Sequence, residues 1–424
     1  HSTGNLDLGL EGGHSAPRVV HAADLTGQEI ERALLNGLAL HPNAEIREHH
    51  LALDLIMTGS GTGRRCIGAD VFDRQRRAIL RVMSPVTVLA TGGGGQVYRH
   101  TTNPMIATGD GVAMAFRAGA RVANLEFVQF HPTRLFHPRA NRFLISEAVR
   151  GAGGILRNKR GEPFMERYHP MHDLAPRDIV ARAIVAESRR THSRCAWLDL
   201  THLRPAFIRK RFPNIHARCR EVGIDITTEP IPVVPAAHYL CGGVVVDSRA
   251  MTDIPGLWAA GEVAHTGLHG ANRLPSNSLL EAMYLAAAAS ASARRARRAL
   301  ERRLPARLPR HRWAPVGAYA RGHVGWSALQ NTMWDDVGII REREGLRRAV
   351  SRLTMLRREA ARRIEEEGMN ADTIEYRNAT LLGALIAKGA LARTESRGLH
   401  YRSDFPHVDD ARFRHDTLMK GPKL

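Results

Sequence analysis

The sequence predicts an α/β fold carrying an inserted α+β domain and a C-terminal helical bundle. Three observations carry this. Two apolar, β-rich runs end in glycines: Val86–Thr91 before Gly92-Gly93-Gly94-Gly95, and the Leu-Trp-Ala-Ala run from Gly256 to Gly261 before Glu262, the latter preceded by a strand-like Gly243–Asp247. Such runs suit a buried parallel sheet whose backbone comes close to a ligand. A tight turn needing positive φ explains many glycine clusters equally well. Between these runs, residues 123 to 239 change texture and become rich in His, Pro and Arg. Beyond a linker at about 308 to 317, apolar residues recur at helical spacing, as at Leu346, Val350, Leu353 and Leu356, then Leu381, Leu382, Leu385 and Ile386. The expected boundaries are therefore 1–122 and 240–307 for the α/β domain, 123–239 for the insertion and 318–424 for the helical domain.

The 424 residues suffice for two or three domains with sizeable cores. No apolar run reaches the roughly 18 residues of a membrane span, so none is expected. The opening HSTGNLDLGLEGGHS lacks the pattern of a secretory signal and starts in mid-motif, so upstream sequence is expected to be missing. Cys66, Cys195, Cys219 and Cys241 are scattered without metal-ligand spacing, which predicts inert thiols in a reducing cytoplasm and no bound metal. The net charge of +19 raises nucleic-acid binding first. Yet of 61 basic residues only five are lysines, and the arginines are spread along the chain. One cluster, from Arg294 to Arg307, sits on an Ala-rich helix, where a solvated face or an arginine-biased composition accounts for it. Aromatics are 5%, too few for stacking platforms. A positive potential would also attract an anionic substrate.

Fingerprints for other chemistry are missing. No GxGxxG follows a strand and no GxSxG elbow occurs; Gly59, Gly61 and Gly63 in TGSGTGRR read as a hairpin or loop. What stands out is a set of basic and hydroxyl residues in Gly/Pro-marked loops: His131, Ser146-Glu147, Arg177, His238 and Arg273. A dicarboxylate needs two separate clamps, and the planar fork of arginine suits each. Any one of these histidines alone reads better as a core or surface residue. The stretch from Ser276 to Met283 reads as a helix start, continuing to about Leu300. Its N-terminus would suit a cofactor edge on which negative charge develops. An ordinary capped surface helix fits those residues equally.

Taken in order, Glu11-Gly-Gly-His-Ser15, His21–Gly27, Asn124–Thr133, Asp173–Asp178, Pro235–Tyr239, Ala259–Glu262, Gly267–Arg273, Ser276–Leu279 and His400–Pro406 resemble the succinate dehydrogenase/fumarate reductase flavoprotein family. The resemblance covers essentially the whole chain, and within the family it is to the L-aspartate oxidases. It implies non-covalent FAD in an incomplete Rossmann-like domain. It also implies L-aspartate as substrate, oxygen or fumarate as acceptor, and the first step toward quinolinate and NAD in the cytoplasm, with quinolinate synthase as a partner. Arg177 would be the proton shuttle, a role warranted by the resemblance because arginine is a poor base in water. His131, Ser146 and Glu147 would hold one substrate carboxylate, and His238 with Arg273 the other. Asp110, Glu262, Ser278 and Leu279 match flavin-contacting positions, and Thr91-Gly92-Gly93 matches a backbone turn at the adenosine side. Glu11 favours aspartate over succinate, since a carboxylate there pairs with the substrate ammonium in a contact worth about 1.5–3 kcal/mol. Departures are Ser146 in place of Thr, Pro275 in place of Ala, Ala152 in place of Glu, and the lack of the upstream phosphate-binding strand–turn–helix. Two other readings stay open beside a flavoprotein subunit acting on succinate or fumarate: an inactive truncated fragment, and a basic nucleic-acid-binding protein.

Overall fold

A computed structural model describes residues 8–9, 16, 18–20, 26–140, 142–302, 313–317 and 324–421. The chain divides into two units, His1–Glu48 with Phe130–Ala236, and His49–Gln129 with Ala237–Leu424. The divisions fall at 129/130 and 236/237 rather than at 123 and 239. The first 48 residues group with the insertion, and the C-terminal helices do not separate from the α/β part.

Strands Val128–Leu135, Ile231–Leu240, Ala196–Asp199 and Ile155–Arg157, most of whose residues belong to the first unit, form one sheet in that spatial order. The last three pair antiparallel. Leu156, Leu198 and Ile231 from these strands pack with Val180 and Ile184 of helix Arg177–Arg190 and with Phe164 and Phe212. Helices Pro205–Arg211 and Pro213–Glu221 each begin on a proline, whose fixed φ suits a first helical turn.

In the second unit, His50–Thr58, Arg65–Asp73 and Ala78–Met83 form an antiparallel meander. The TGSGTG segment is its first hairpin turn, as its glycines suggested. Gly59 has φ +75°, and a Cβ there would lie 2.3 Å from the Gly63 carbonyl oxygen. The two glycine-capped runs are short parallel neighbours, Thr87–Leu89 beside Leu257–Ala259. A further sheet runs Ala264–His265, Gly243–Val245, Arg121–Ala123, Leu418–Lys420. Mixed α/β sheets with a helical C-terminal region are thus the fold class.

Helix Asn277–Glu301 buries Leu285, Ala289, Ser292 and Ala293 on one face, and Trp258 Nε1 donates to Ser292 Oγ at 2.7 Å. Its arginines from Arg294 to Arg298 lie mostly on the exposed side; Arg303 and Arg307 lie outside the described residues. Helices Val324–Asp336, Arg343–Glu367 and Ala371–Ala392 follow. Arg343–Glu367 buries Leu346, Ala349, Leu353, Leu356 and Ala360 at spacings of three and four. Ala371–Ala392 is buried nearly throughout and opens on a capping box between Asn370 and Thr373. Among the described residues no helix is long and apolar enough to cross a membrane. The four thiols are free, and burial raises each one's pKa, Cys219 and Cys241 to about 12, so they are poor nucleophiles.

Candidate active site

The first unit holds His131, Ser146, Glu147 and Arg177. His131 is buried on strand Val128–Leu135, and its Nδ1 accepts from the Thr133 N–H at 3.2 Å. That places the proton of a neutral ring on Nε2, as a donor. Ser146 Oγ accepts from the Ala148 N–H at the start of the short helix Ala148–Gly151, which leaves its hydroxyl hydrogen to donate elsewhere. Arg177 opens helix Arg177–Arg190, an end whose dipole favours anions. Glu147 offsets this: its Oε2 accepts from Arg177 Nε at 2.6 Å, and its Oε1 accepts from Arg150 Nη2 at 2.8 Å. Arg150 is 1% exposed at the side chain and also donates to the Asp173 carbonyl. Burial alone would raise the Glu147 carboxyl, but the charges of Arg177 and Arg150 outweigh it and hold it below the ordinary value.

The second unit holds His238 and Arg273. His238 Nδ1 is 2.8 Å from Thr102 Oγ1, and Asn103 Nδ2 donates to the His238 carbonyl at 2.9 Å. A Thr102 hydroxyl donating to Nδ1 leaves the His238 proton on Nε2. Arg273 is fixed by several partners at once. Its Nη1 donates to Gln129 Oε1 at 2.8 Å, Gln129 Nε2 donates back to its carbonyl at 3.0 Å, and its Nε meets Ser278 Oγ. Its guanidinium lies 4.2 Å over the Tyr239 ring, a cation–π contact.

The residues expected to contact the flavin also lie in this unit. The parallel strands Thr87–Leu89 and Leu257–Ala259 run into Thr91–Gly93 and Gly261-Glu262, and ligands of α/β sheets bind at such carboxyl ends. A Cβ on Gly93 would lie 2.3 Å from Glu262 Oε1, so only glycine leaves room for that carboxylate. Asp110 opens helix Asp110–Arg117, its carboxylate accepting from Thr108 at 2.8 Å and Asn378 at 2.6 Å. Burial raises the Asp110 carboxyl. Leu279 is 47% exposed at the start of helix Asn277–Glu301.

Glu262 has its own pH signature. Burial raises its carboxyl to about 7, against the Leu240 N–H, the Arg273 charge and the Gly93 backbone. The folded chain therefore holds a proton that the unfolded chain, with its ordinary value of 4.5, has released. Stability of the flavin-free chain should fall as pH rises from about 4.5 to about 7. Glu262→Gln should abolish that fall in thermal unfolding at pH 5 and pH 8; an unchanged pH response in the variant refutes it.

Residues 1–279 match the family model described as an FAD binding domain, and residues 326–423 the one described as fumarate reductase flavoprotein C-term. An L-aspartate oxidase of Ralstonia nicotianae is 48% identical over 95% of this chain and 76% of its own length. One from Pseudomonas aeruginosa is 46% identical over 100% of this chain and 79% of its own. The chain belongs to the L-aspartate oxidase family of flavoproteins. Its fold agrees: an E. coli quinol fumarate reductase superposes with a TM-score of 0.81 at 29% identity, covering 100% of this chain and 80% of that one. FAD is the cofactor, as the match to the FAD binding domain shows. Glu11, the residue expected to recognise the ammonium group, lies outside the described residues. Arg150, Thr102 and Gln129 were not foreseen. For Arg150 a signal existed, since it stands three residues after Glu147 on one helical turn.

Proposed function

We propose that the chain oxidises L-aspartate to iminoaspartate, with Arg177 moving the proton and the two sets of cationic and hydroxyl residues holding the carboxylates. The supporting observation is the array Arg177–Glu147–Arg150, in which a buried carboxylate holds one guanidinium by its Nε edge and is itself held by a second. An ionised Glu147 already committed to two guanidiniums would repel a substrate carboxylate. Its role is therefore to orient Arg177, not to clamp substrate. His131 and Ser146 supply donors for one carboxylate; His238, set by Thr102, and Arg273, set by Gln129 and Tyr239, serve the other. Thr91, Gly92, Gly93, Asp110, Glu262, Ser278 and Leu279 would hold FAD. Bound FAD supplies the two-electron acceptor that oxygen or fumarate reoxidises. The setting is the cytoplasm and the first step of NAD biosynthesis through quinolinate, with quinolinate synthase as the consuming partner.

Glu11 separates aspartate oxidation from succinate or fumarate chemistry, because only aspartate brings an ammonium to pair with it. Steady-state assays of the FAD-loaded protein should show faster turnover of aspartate than of succinate. Glu11→Gln should cut aspartate oxidation by about tenfold or more, the equivalent of a lost charge-assisted contact, while sparing fumarate reduction. Equal losses on both substrates would sink the assignment of Glu11.

A further inference from the structure

Four arginines line one cavity that the catalytic reading does not use. It measures about 450 Å³ and is lined by Phe116, Arg117, Thr354, Arg357, Arg358, Ala361, Arg377 and Leu381. All belong to the second unit, on helices Asp110–Arg117, Arg343–Glu367 and Ala371–Ala392. Asp54 pairs with the two deeper cations, accepting from Arg117 Nε at 2.8 Å and from Arg377 Nη2 at 3.2 Å, and the Asp110 carboxylate also acts on both. Two buried donors, Arg117 Nη1 and Arg377 Nε, have no hydrogen-bond partner. Arg357 and Arg358 are exposed and make no ion pair among the described residues. Elsewhere on the same helix Arg347, Arg362 and Arg363 each pair with a glutamate three or four residues away. The charges strain one another. Burial lowers Arg377 to about 10, with the positive charge of Arg117 adding to the effect.

Phe116, Ala361 and Leu381 make much of the wall apolar, and the Thr354 hydroxyl is committed to the Val350 carbonyl. A cavity of this size suits a small organic molecule. Excess positive charge and apolar walls together suit an oxyanion on an apolar body. We infer that this cavity is a second binding site, for a small organic anion that presents a carboxylate or phosphate to Arg117, Arg357, Arg358 and Arg377 and lays its ring or chain on Phe116 and Leu381.

Isothermal titration of the FAD-loaded protein with benzoate, adenosine monophosphate and inorganic phosphate tests this. Benzoate or the nucleotide should saturate one site per chain and bind more tightly than inorganic phosphate; which of the two wins identifies the charged group. The charge-reversed double variant R357E/R358E should weaken that binding by about tenfold or more. Both substitutions lie on an exposed helix face, so aspartate turnover without the probe should be unchanged. R357Q/R358Q should shift affinity in the same direction by less. Three results would overturn the site: no saturable binding, equal affinity in wild type and R357E/R358E, or inorganic phosphate binding as tightly as the aromatic anions.

Discussion

Arg177→Lys should lower aspartate turnover by about a thousandfold, within the 10²–10⁴ range that a positioned acid–base group contributes. Lysine keeps the positive charge but loses the planar fork, and with it the Nε–H that Glu147 Oε2 receives at 2.6 Å. A flexible ammonium at the start of helix Arg177–Arg190 would still be drawn to Glu147, but no longer set at one angle. The loss should therefore fall on kcat, with KM for aspartate changing only a few-fold, because the carboxylate clamps proposed at His131, Ser146, His238 and Arg273 stay intact. FAD retention and thermal unfolding should match wild type, which separates a chemical defect from a folding one. Single-turnover flavin reduction by aspartate under anaerobic conditions gives the measurement. A variant retaining a tenth of wild-type rate would remove Arg177 from the proton step.

How much of this was legible beforehand follows from where each partner lies in the chain. The glycine-capped strands could be read because composition and turn chemistry are local, although the strands proved as short as Thr87–Leu89 and Leu257–Ala259. The helices could be read from apolar spacing, but their grouping could not. Leu382 of helix Ala371–Ala392 packs so tightly on the glycine turns that a Cβ on Gly94 would lie 2.1 Å from its Cδ2. That contact ties the C-terminal helices to the α/β part, and nothing local in the sequence announces it. The residues matching family motifs were named from the chain, whereas the groups that aim them were not. Thr102 reaches His238 across 136 positions, and Gln129 reaches Arg273 across 144, distances that only folding closes. Threonine and glutamine in such positions are also too common to signal a role. The four-arginine cavity was hidden for a related reason. The evident run was Arg294–Arg298, while Arg117, Arg357, Arg358 and Arg377 gather from three helices.

Glu147→Gln should be costly twice over. In stability, the substitution removes the negative charge lying between two guanidiniums, one of them almost wholly buried. Breaking a buried ion pair by removing one partner costs about 3–5 kcal/mol, and the retained amide oxygen can offset only part of this. A loss on the order of 3 kcal/mol in urea unfolding at pH 7 is expected. In activity, Arg177 loses its anchor, and turnover should drop about a hundredfold, since misplacing a catalytic group by about 1 Å carries that order of penalty. The pH response distinguishes this from a general packing defect. The folded-state pKa of Glu147 is depressed below its ordinary 4.5, so its stabilising contribution is present above that value and lost as pH falls through the folded pKa. The stability gap between wild type and Glu147→Gln should thus be constant at neutral pH and narrow progressively below about pH 4.5. A gap that stays the same width down to acid unfolding would mean that volume or hydrogen-bond geometry, and not the charge on Glu147, holds Arg177 and Arg150 together.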